Sequence, residues 1–376
     1  MTGAWAPARV PFAPKPLKDE LFSSWLLRVA AANHVSAREL LSGFNFQYPD
    51  IQLPVCLDSG LDFAFLQAIS RFCRVPVRAL KLLDLQQRLR HSKHALLLRF
   101  GSAPRMSPRY CDLRAGYSFC PLCLVQHANV HVRWDWCIAC LVRCSVHNVS
   151  LQLGCPCCGE PDPLSFGPPL AGPTLACWSC GSDLTLGTNV PENPQEGGIA
   201  AVERAYRDAL LGVAPDQSLL GRVTDRQFRS FVDDMLQLLI RSPQQQRVLR
   251  NAWKQDAALP PGQPLLALIA GLILNAAPTT DPRVRRTRHR TSLRLWGDIL
   301  PTLSEGDGEE LERSSRMWPI PLRGRFSHAL LYYKRRRWPY PLFLSPDRSP
   351  GFRYNDRLEF RDLNAANQYL GRDSGI

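Results

Sequence analysis

The segment Cys120-Pro-Leu-Cys123 is the first of four short motifs that decide the fold of the middle of this chain. The other three are Cys144-Ser-Val-His147, Cys155-Pro-Cys-Cys158 and Cys177-Trp-Ser-Cys180. In each motif, two other residues separate the two metal-binding side chains, a spacing that brings both donors to one edge of a zinc tetrahedron. A glycine follows the last two motifs, and it lets the backbone turn so that its N–H groups can face the thiolates.

The motifs predict two structural zinc sites with four protein ligands each. The first set is Cys120, Cys123, Cys144 and His147, and the second is Cys155, Cys158, Cys177 and Cys180. All but two of the 13 cysteines lie between Cys111 and Cys180, and the first 16 residues contain no apolar secretion signal. We therefore expect a cytoplasmic protein, in which clustered cysteines indicate metal ligands rather than disulfides. The longest apolar run, residues 265–274, is about half of a bilayer span, so no membrane partner is expected.

A further pair, Cys137-Ile-Ala-Cys140, competes with Cys144 and His147 for the first site. It lies in a segment without proline or glycine that is typical of a strand or a buried helix, so Cys144 and His147 are preferred. Two weaker alternatives, His127 and His131, are expected to be surface residues, and Cys157 is expected to be a bystander. A catalytic zinc would need an open coordination position, whereas both predicted sites have four protein ligands.

Before this cysteine-rich region, the pattern predicts two helical hairpins within residues 17–105. Leu21, Trp25, Leu26 and Val29 have helical spacing, Asp19 and Glu20 suit a helix start, and Ser36 suits the N-cap of the next helix. The same pattern recurs 40 residues later, where Pro76 replaces Ser36. Such hairpins suggest a helix-turn-helix domain, whose second helix enters the major groove of DNA. Arg38, Arg74, Arg78 and Lys81 are placed to be presented there. A plain helical bundle or a protein-docking surface is the alternative.

After residue 200 the pattern predicts helices over 200–211, 225–240 and 265–275, and an acidic loop over 306–312. The expected fold is mainly α with small zinc-ribbon modules. Its parts are an N-terminal helix-turn-helix domain, a central double zinc-binding domain, a linker and a C-terminal helical domain. The predicted boundaries are 1–110, 111–186, 187–199 and 200–376.

The formal net charge of +13 is concentrated at the two ends. Residues 1–110 carry 15 basic and 7 acidic groups, and residues 280–376 carry 19 and 12, whereas residues 111–199 carry 3 and 7. Localised basic surface indicates a nucleic-acid partner. The C-terminal candidates for phosphate contact, which can also be merely solvated, are Arg285, Arg286, Arg288, Arg290, Lys334, Arg335, Arg336 and Arg337. The last four adjoin Tyr332, Tyr333, Trp338 and Tyr340, an arrangement that suits base stacking.

Several of these motifs together resemble the TniQ/TnsD family of bacterial transposition proteins. Residues 14–30 resemble the family's opening pattern P-x-P…E-S-x-S-S-W-x-x-R-x-A, and the resemblance extends through the metal motifs to about residue 185. The family's zinc pattern falls on the eight ligands given above. The resemblance implies a non-catalytic adaptor that recognises a target through its own DNA contacts or through an RNA-guided CRISPR effector complex. Such a protein recruits a AAA+ ATPase regulator and the transposase, and guided members form homodimers.

Two other functional classes compete with the adaptor. One is a stand-alone zinc-dependent regulator that binds DNA sequence-specifically, and the other is a zinc enzyme. The sequence contains no G-x-x-x-x-G-K-[ST] phosphate loop, so ATP hydrolysis would come from a partner. No local arrangement of histidine and carboxylate predicts a nuclease site.

Overall fold

The computed structural model of the chain describes residues 9–43, 58, 60–89, 118–126, 130–138, 140–159, 175–177, 179–186, 197–241, 262–300, 303 and 305–337. The chain forms two compact units, residues 1–192 with 260–262 and residues 193–259 with 263–376. Most of the predicted linker lies outside the described residues, as do His127, Trp338 and Tyr340. The four-part domain division stays a prediction.

Five helices form the first part of the first unit. They are α1 (Phe22–Ala32), α2 (Ala37–Gly43), α3 (Phe63–Cys73), α4 (Val77–Lys81) and α5 (Leu85–Arg88). α1 with α2, and α3 with α4, are the two predicted helical hairpins. Ser36 Oγ accepts from the backbone N–H of Glu39, whose carboxylate accepts from Ser36 N, which caps α2 as predicted. The turn residues His34 and Arg74, 40 positions apart, both have φ 55°.

The two hairpins share one hydrophobic core. Phe22 and Trp25 of α1 are fully buried, with ring centroids 5.6 Å apart, and Phe22 lies 5.7 Å from Phe65 of α3. Burying one such side chain stabilises a fold by about 1.5–3 kcal/mol. The predicted apolar positions 26, 29, 66, 69 and 80 all belong to this core, so the helical pattern identified the inward faces.

The second part of the first unit contains little regular structure. A two-stranded antiparallel sheet pairs β1 (Ser118–Phe119) with β2 (Gln152–Leu153), and α6 (Pro121–Gln126) follows β1. Residues 134–142 were expected as a strand or a buried helix. Trp134–Cys137 instead form a 3₁₀ turn, and the described residues that follow are buried without regular structure. A second 3₁₀ turn, Leu184–Leu186, packs against α6.

All regular secondary structure among the described residues of the second unit is helical. Its elements are α7 (Gly197–Leu210), α8 (Gln217–Leu220), α9 (Asp225–Arg241), α10 (Gly262–Ala276), α11 (Pro282–Ile299), α12 (Glu305–Ser314), the 3₁₀ turn Ser315–Met317 and α13 (Ile320–Arg337). The three predicted helices correspond to α7, α9 and α10. The predicted loop over 306–312 is wrong, because these residues belong to α12. Two of its acidic residues, Glu305 and Asp307, belong to the first turn, where the helix dipole favours negative charge and offsets the low helix propensity of Gly306 and Gly308.

Aromatic rings fill the centre of the second unit. Trp318 lies between Trp296 of α11 and Phe231 of α9, with ring centroids 6.1 and 5.0 Å away. Its indole N–H donates to Asp234 Oδ2 at 2.6 Å, so the one polar atom of this buried ring is satisfied. Among the described helices of both units, none combines the length and the apolar composition that crossing a membrane requires.

Candidate metal centres

The first predicted ligand set converges on one point. The Sγ atoms of Cys123 and Cys144 lie 3.5 Å apart, and His147 Nδ1 lies 3.3 Å from Cys123 Sγ and 3.5 Å from Cys120 Sγ. Zinc–sulfur bonds of about 2.3 Å and zinc–nitrogen bonds of about 2.0 Å give tetrahedral edges of about 3.5–3.8 Å. The spacing of these donor atoms therefore fits a tetrahedral metal site, and the three cysteines are buried.

The orientation of the His147 ring supports its role as a ligand. Its Nε2 lies 2.6 Å from Gln126 Oε1, at the end of α6. Because an amide oxygen only accepts hydrogen bonds, Nε2 carries the proton and Nδ1 presents its lone pair to the three sulfur atoms. Sequence reasoning did not identify Gln126, since a glutamine at the end of a short helix has no distinctive spacing to the motifs.

The second ligand set also converges. Cys155 Sγ lies 3.6 Å from Cys180 Sγ, and Cys158 Sγ lies 3.8 Å from Cys177 Sγ. In each of the two sets, all four ligand atoms lie within 4.8 Å of one another. Ser182 Oγ lies 3.1 Å from both Cys155 Sγ and Cys180 Sγ, where it can donate to either sulfur. The chain thus contains two groups of residues that can bind two metal ions.

Three of the four motifs are followed by a residue with left-handed backbone. Gly159 and Gly181 have φ 72° and 73°, and Asn148 has φ 54°. The N–H of each donates to the carbonyl of the motif's first cysteine, at 2.9 Å for Asn148 and 3.0 Å for Gly159. This turn directs backbone N–H groups at the sulfur atoms, as in the hydrogen bonds of 3.4 Å from Val146 and His147 to Cys144 Sγ. Gly159 and Gly181 therefore make the backbone turn that was predicted for them, and Asn148 makes the same turn in the first site.

The hydrogen bonds within each cluster change the pKa of its thiols. Hydrogen bonds from Cys120 and Cys123 lower the pKa of Cys144, whereas burial raises the pKa of Cys177 to about 12. The hydrogen bond from Ser182 lowers the pKa of Cys180 to about 6. Close thiols cannot all ionise unless a cation neutralises them, so a bound divalent metal ion would let each set present its thiolates together.

The competing residues lie outside both ligand sets. Cys137 is buried and donates its S–H to Trp134 O at 2.8 Å, and Cys140 is also buried. Cys157 is exposed and belongs to neither set, which agrees with its expected role as a bystander. His131, expected at the surface, is 7% exposed and therefore buried.

A polar network connects the first metal site to the helical hairpins. Ser145, between the ligands Cys144 and His147, donates to Asp135 Oδ2 at 2.7 Å, and Asp135 Oδ1 accepts from Arg133 Nε at 3.0 Å. The guanidinium of Arg133 also lies 3.7 Å from Asp19 Oδ2. Backbone hydrogen bonds join the same segments, from Leu21 N to Val132 O and from Trp134 N to Asp19 O.

The opening motif supplies the other half of this connection. Glu20 does not act on the helix dipole as expected. Its carboxylate is buried and accepts from Arg28 Nη1 at 2.7 Å. Ser24 Oγ accepts from Val132 N at 2.9 Å, and the Trp25 indole donates to Pro14 O at 2.8 Å. The motif residues therefore fix α1 against the segment that leads to the first metal site.

The sequence model of the TniQ family matches residues 11–151. The chain contains a TniQ domain. The matched region includes the opening motif, both helical hairpins and the complete first ligand set, while the second set lies beyond it. No curated protein matches the chain. The TniQ domain associates the chain with transposition.

The basic residues predicted in the N-terminal part of the chain lie at the second hairpin or, for Arg38, in α2. Arg78 is exposed on α4, and Arg74 lies in the turn before it rather than on the predicted recognition helix. The Lys81 ammonium lies 4.9 Å from the centre of the half-exposed Phe63 ring. Lys81 therefore already makes a cation–π contact within the protein. The side chain of Arg38 is outside the described residues.

The C-terminal basic residues occupy two helices that pack against each other, α11 and α13. Arg285, Arg286 and Arg290 are exposed on α11, and the partly buried Arg288 donates to Ala277 O at 3.3 Å. Lys334, Arg335, Arg336 and Arg337 form the last turn of α13, and their side chains are outside the described residues.

Proposed function

We propose that this TniQ protein is a non-catalytic adaptor in transposition. It recognises a target site, directly on DNA or by docking on an RNA-guided CRISPR effector complex, and recruits a AAA+ ATPase regulator and the transposase. The observation that carries this proposal is the TniQ match over residues 11–151. In our proposal the protein acts in the bacterial cytoplasm, as a monomer or a homodimer.

Both metal sites hold structural Zn²⁺ in this proposal. The ligands of the first would be Cys120, Cys123, Cys144 and His147, and those of the second Cys155, Cys158, Cys177 and Cys180. A zinc ion at each set would neutralise the thiolates and crosslink a region with little regular secondary structure. With four protein donors in each set, neither site needs a water ligand, which supports a scaffold rather than an enzyme.

The roles that we assign to the two ends and to the centre of the chain follow the distribution of charge. We assign nucleic-acid contact to the basic residues at the two ends, including Arg38, Arg74, Arg78 and Lys81, and protein docking to the acidic centre. Exposed arginines on α11 support this assignment at the C-terminal end. The net negative charge of residues 111–199 disfavours phosphate there and suits contact with protein.

Affinity purification from the source cells tests the adaptor. We expect the tagged chain to co-purify with a AAA+ ATPase, and expect Cys158→Ser to abolish this recovery because it opens the second metal site. Cys157→Ser, which changes the neighbouring exposed cysteine, should leave recovery unchanged. An adaptor role is contradicted if no ATPase is recovered with the wild-type chain while its genomic neighbourhood encodes none.

The alternative is a stand-alone regulator that binds DNA sequence-specifically. The paired helical hairpins and the exposed Arg78 favour it. High-affinity, sequence-specific binding by the isolated protein, without any transposition partner, would support this alternative over the adaptor.

A further inference from the structure

Two packed helices of the second unit have an extreme charge composition. α11 contains six arginines and a single acidic residue, Asp298, near its end. α13 contains six basic residues and no acidic one. Most helix surfaces alternate charge signs, because oppositely charged residues three or four positions apart stabilise a helix. The described part of α13 and nearly all of α11 lack such partners on their own helix.

Most arginines of α11 lie at its surface. Five of the six are exposed, namely Arg283, Arg285, Arg286, Arg290 and Arg294, of which Arg294 already has an interaction partner. The backbone fixes some of them, since Arg285 Nη2 donates to Thr279 O at 3.2 Å and Arg286 Nε to Pro282 O at 3.4 Å. Side chains held in this way lose less conformational entropy when they bind a ligand.

Three basic side chains meet where the two helices face each other. The rings of His289 on α11 and His328 on α13 have centroids 5.0 Å apart. The Arg325 guanidinium of α13 contacts His289 Nδ1. Because guanidinium groups only donate, Nδ1 can accept from Arg325 only while the His289 ring is neutral.

We propose that α11 and α13 form one binding surface for the phosphodiester backbone of nucleic acid, and that His289 takes up a proton as the backbone binds. This proposal rests on the proposed function for the identity of the partner and adds the site and its proton linkage. A bound phosphate would supply the negative charge that these helices lack and would accept hydrogen bonds from both Arg325 and the protonated His289.

The surroundings of His289 explain the linkage. Burial, followed by the charges of Arg325 and His328, lowers the pKa of His289 below its usual value. On its own helix the nearest charged residues are Arg285, Arg286, Arg288 and Arg290. α10 also contacts α11, since its Gly271 lies close to Leu295, and α10 contains no charged residue. Among the described residues, the groups in contact with the His289 ring are Arg325 and His328, so an added phosphate raises the pKa and proton uptake accompanies binding.

Nucleic acid fits this surface better than an acidic protein segment does. α11 has 18 residues and is therefore about 27 Å long. Over that distance duplex DNA presents about 16 phosphates. Arginine forks also bind phosphate oxygens in pairs, so a row of arginines suits a continuous polyanion.

Fluorescence anisotropy with the full-length chain and a labelled random-sequence DNA duplex tests the proposal. We expect the affinity to fall three- to tenfold from about pH 6 to pH 7, because binding takes up a proton that becomes scarcer as pH rises. In His289→Gln, which keeps an acceptor for Arg325, this pH dependence should disappear while circular dichroism stays unchanged. His34→Asn, at an exposed histidine of the first unit, should retain it.

A second measurement uses the wild-type chain, so it tests the proposal even if a variant misfolds. Titration calorimetry of the wild-type chain in two buffers of different ionisation enthalpy should show net proton uptake. Unchanged pH dependence in a folded His289→Gln, or no proton uptake by the wild type, would overturn the proposal. Tighter binding of polyglutamate than of the duplex would instead assign the surface to an acidic protein. Failure to recover an ATPase would count against the adaptor alone, because proton-linked binding of the duplex needs no partner protein.

Discussion

At the scale of single residues, the two sets of candidate metal-binding residues were predictable, and the residues that contact them were not. Motif spacing predicted both sets of four, because a two-residue separation is a local property of the chain. Gln126 contacts His147 at 2.6 Å and Ser182 contacts Cys155 at 3.1 Å, and more than 20 residues separate the partners of each contact, so these roles follow only from the fold. The turn at Asn148 was missed because the prediction relied on glycine, whereas here an asparagine has the left-handed backbone.

The ligand assignment predicts metal stoichiometry. We expect native mass spectrometry to show two zinc ions on the wild-type chain and one on Cys123→Ser, because three donors of the first site no longer close the tetrahedron. Cys137→Ser is the matched control, since this buried cysteine donates to Trp134 O and belongs to neither ligand set. Two zinc ions retained by Cys123→Ser would contradict the assignment.

The hydrogen bond to His147 predicts a weaker metal site in Gln126→Leu. Without the acceptor, the imidazole loses its fixed orientation, and losses of such support typically lower metal affinity about 10–100-fold. Competition with a colorimetric chelator measures the effect. The second site provides the internal control, because its metal should be released at the same chelator concentration in wild type and variant.

At the scale of elements, helical periodicity predicted most helices correctly, and it failed where no apolar stripe was present. α12 is rich in glycine and acidic residues, and it was therefore predicted as a loop. Its N-terminal charge and its packing against α9 stabilise it, and the contact with α9 connects residues far apart in sequence. The role of Glu20 was also mispredicted, because the hydrogen-bond partners of its carboxylate depend on the fold.

The ion pair of α1 predicts a large stability loss in Arg28→Met. The side chain of Glu20 is fully buried, and removing its partner leaves a buried charge, which costs about 3–5 kcal/mol. Urea unfolding followed by circular dichroism measures this loss. Arg71→Met, at an exposed position on α3, should change stability by less than about 0.5 kcal/mol, and equal losses in both variants would refute the structural role of the pair.

At the scale of the whole molecule, composition indicated where charge is concentrated, and the fold shows which helices carry it. The sequence placed basic residues at both ends, and α11 with α13 collect many of the C-terminal ones on adjoining helices. The division into domains could not be read from periodicity alone, because the opening motif contacts residues more than 100 positions away.

The distribution of charge predicts a salt-dependent loss of binding when Arg335, Arg336 and Arg337 are all replaced by glutamate. Each lost phosphate contact lowers the slope of log affinity against log salt by about 0.9 for duplex DNA. Filter binding between about 50 and 200 mM salt measures both slopes. Arg226→Glu, at an exposed position of α9, is a single-site control for nonspecific charge effects, and an unchanged slope in the triple variant would place these residues outside the interface.

The hydrogen bond from Val132 N to Ser24 Oγ spans 108 residues and sets an order of events during synthesis. When α1 leaves the ribosome, the segment that satisfies Ser24 and pairs with Leu21 has not yet been made. Both helical hairpins are complete long before residue 132, yet α1 lacks these partners until then. At a typical rate of about 5–20 residues per second, that interval is about 5–20 seconds. Metal binding at Cys144 and His147 comes only after it, so the nascent hairpins must stay soluble without the segment that finally covers them.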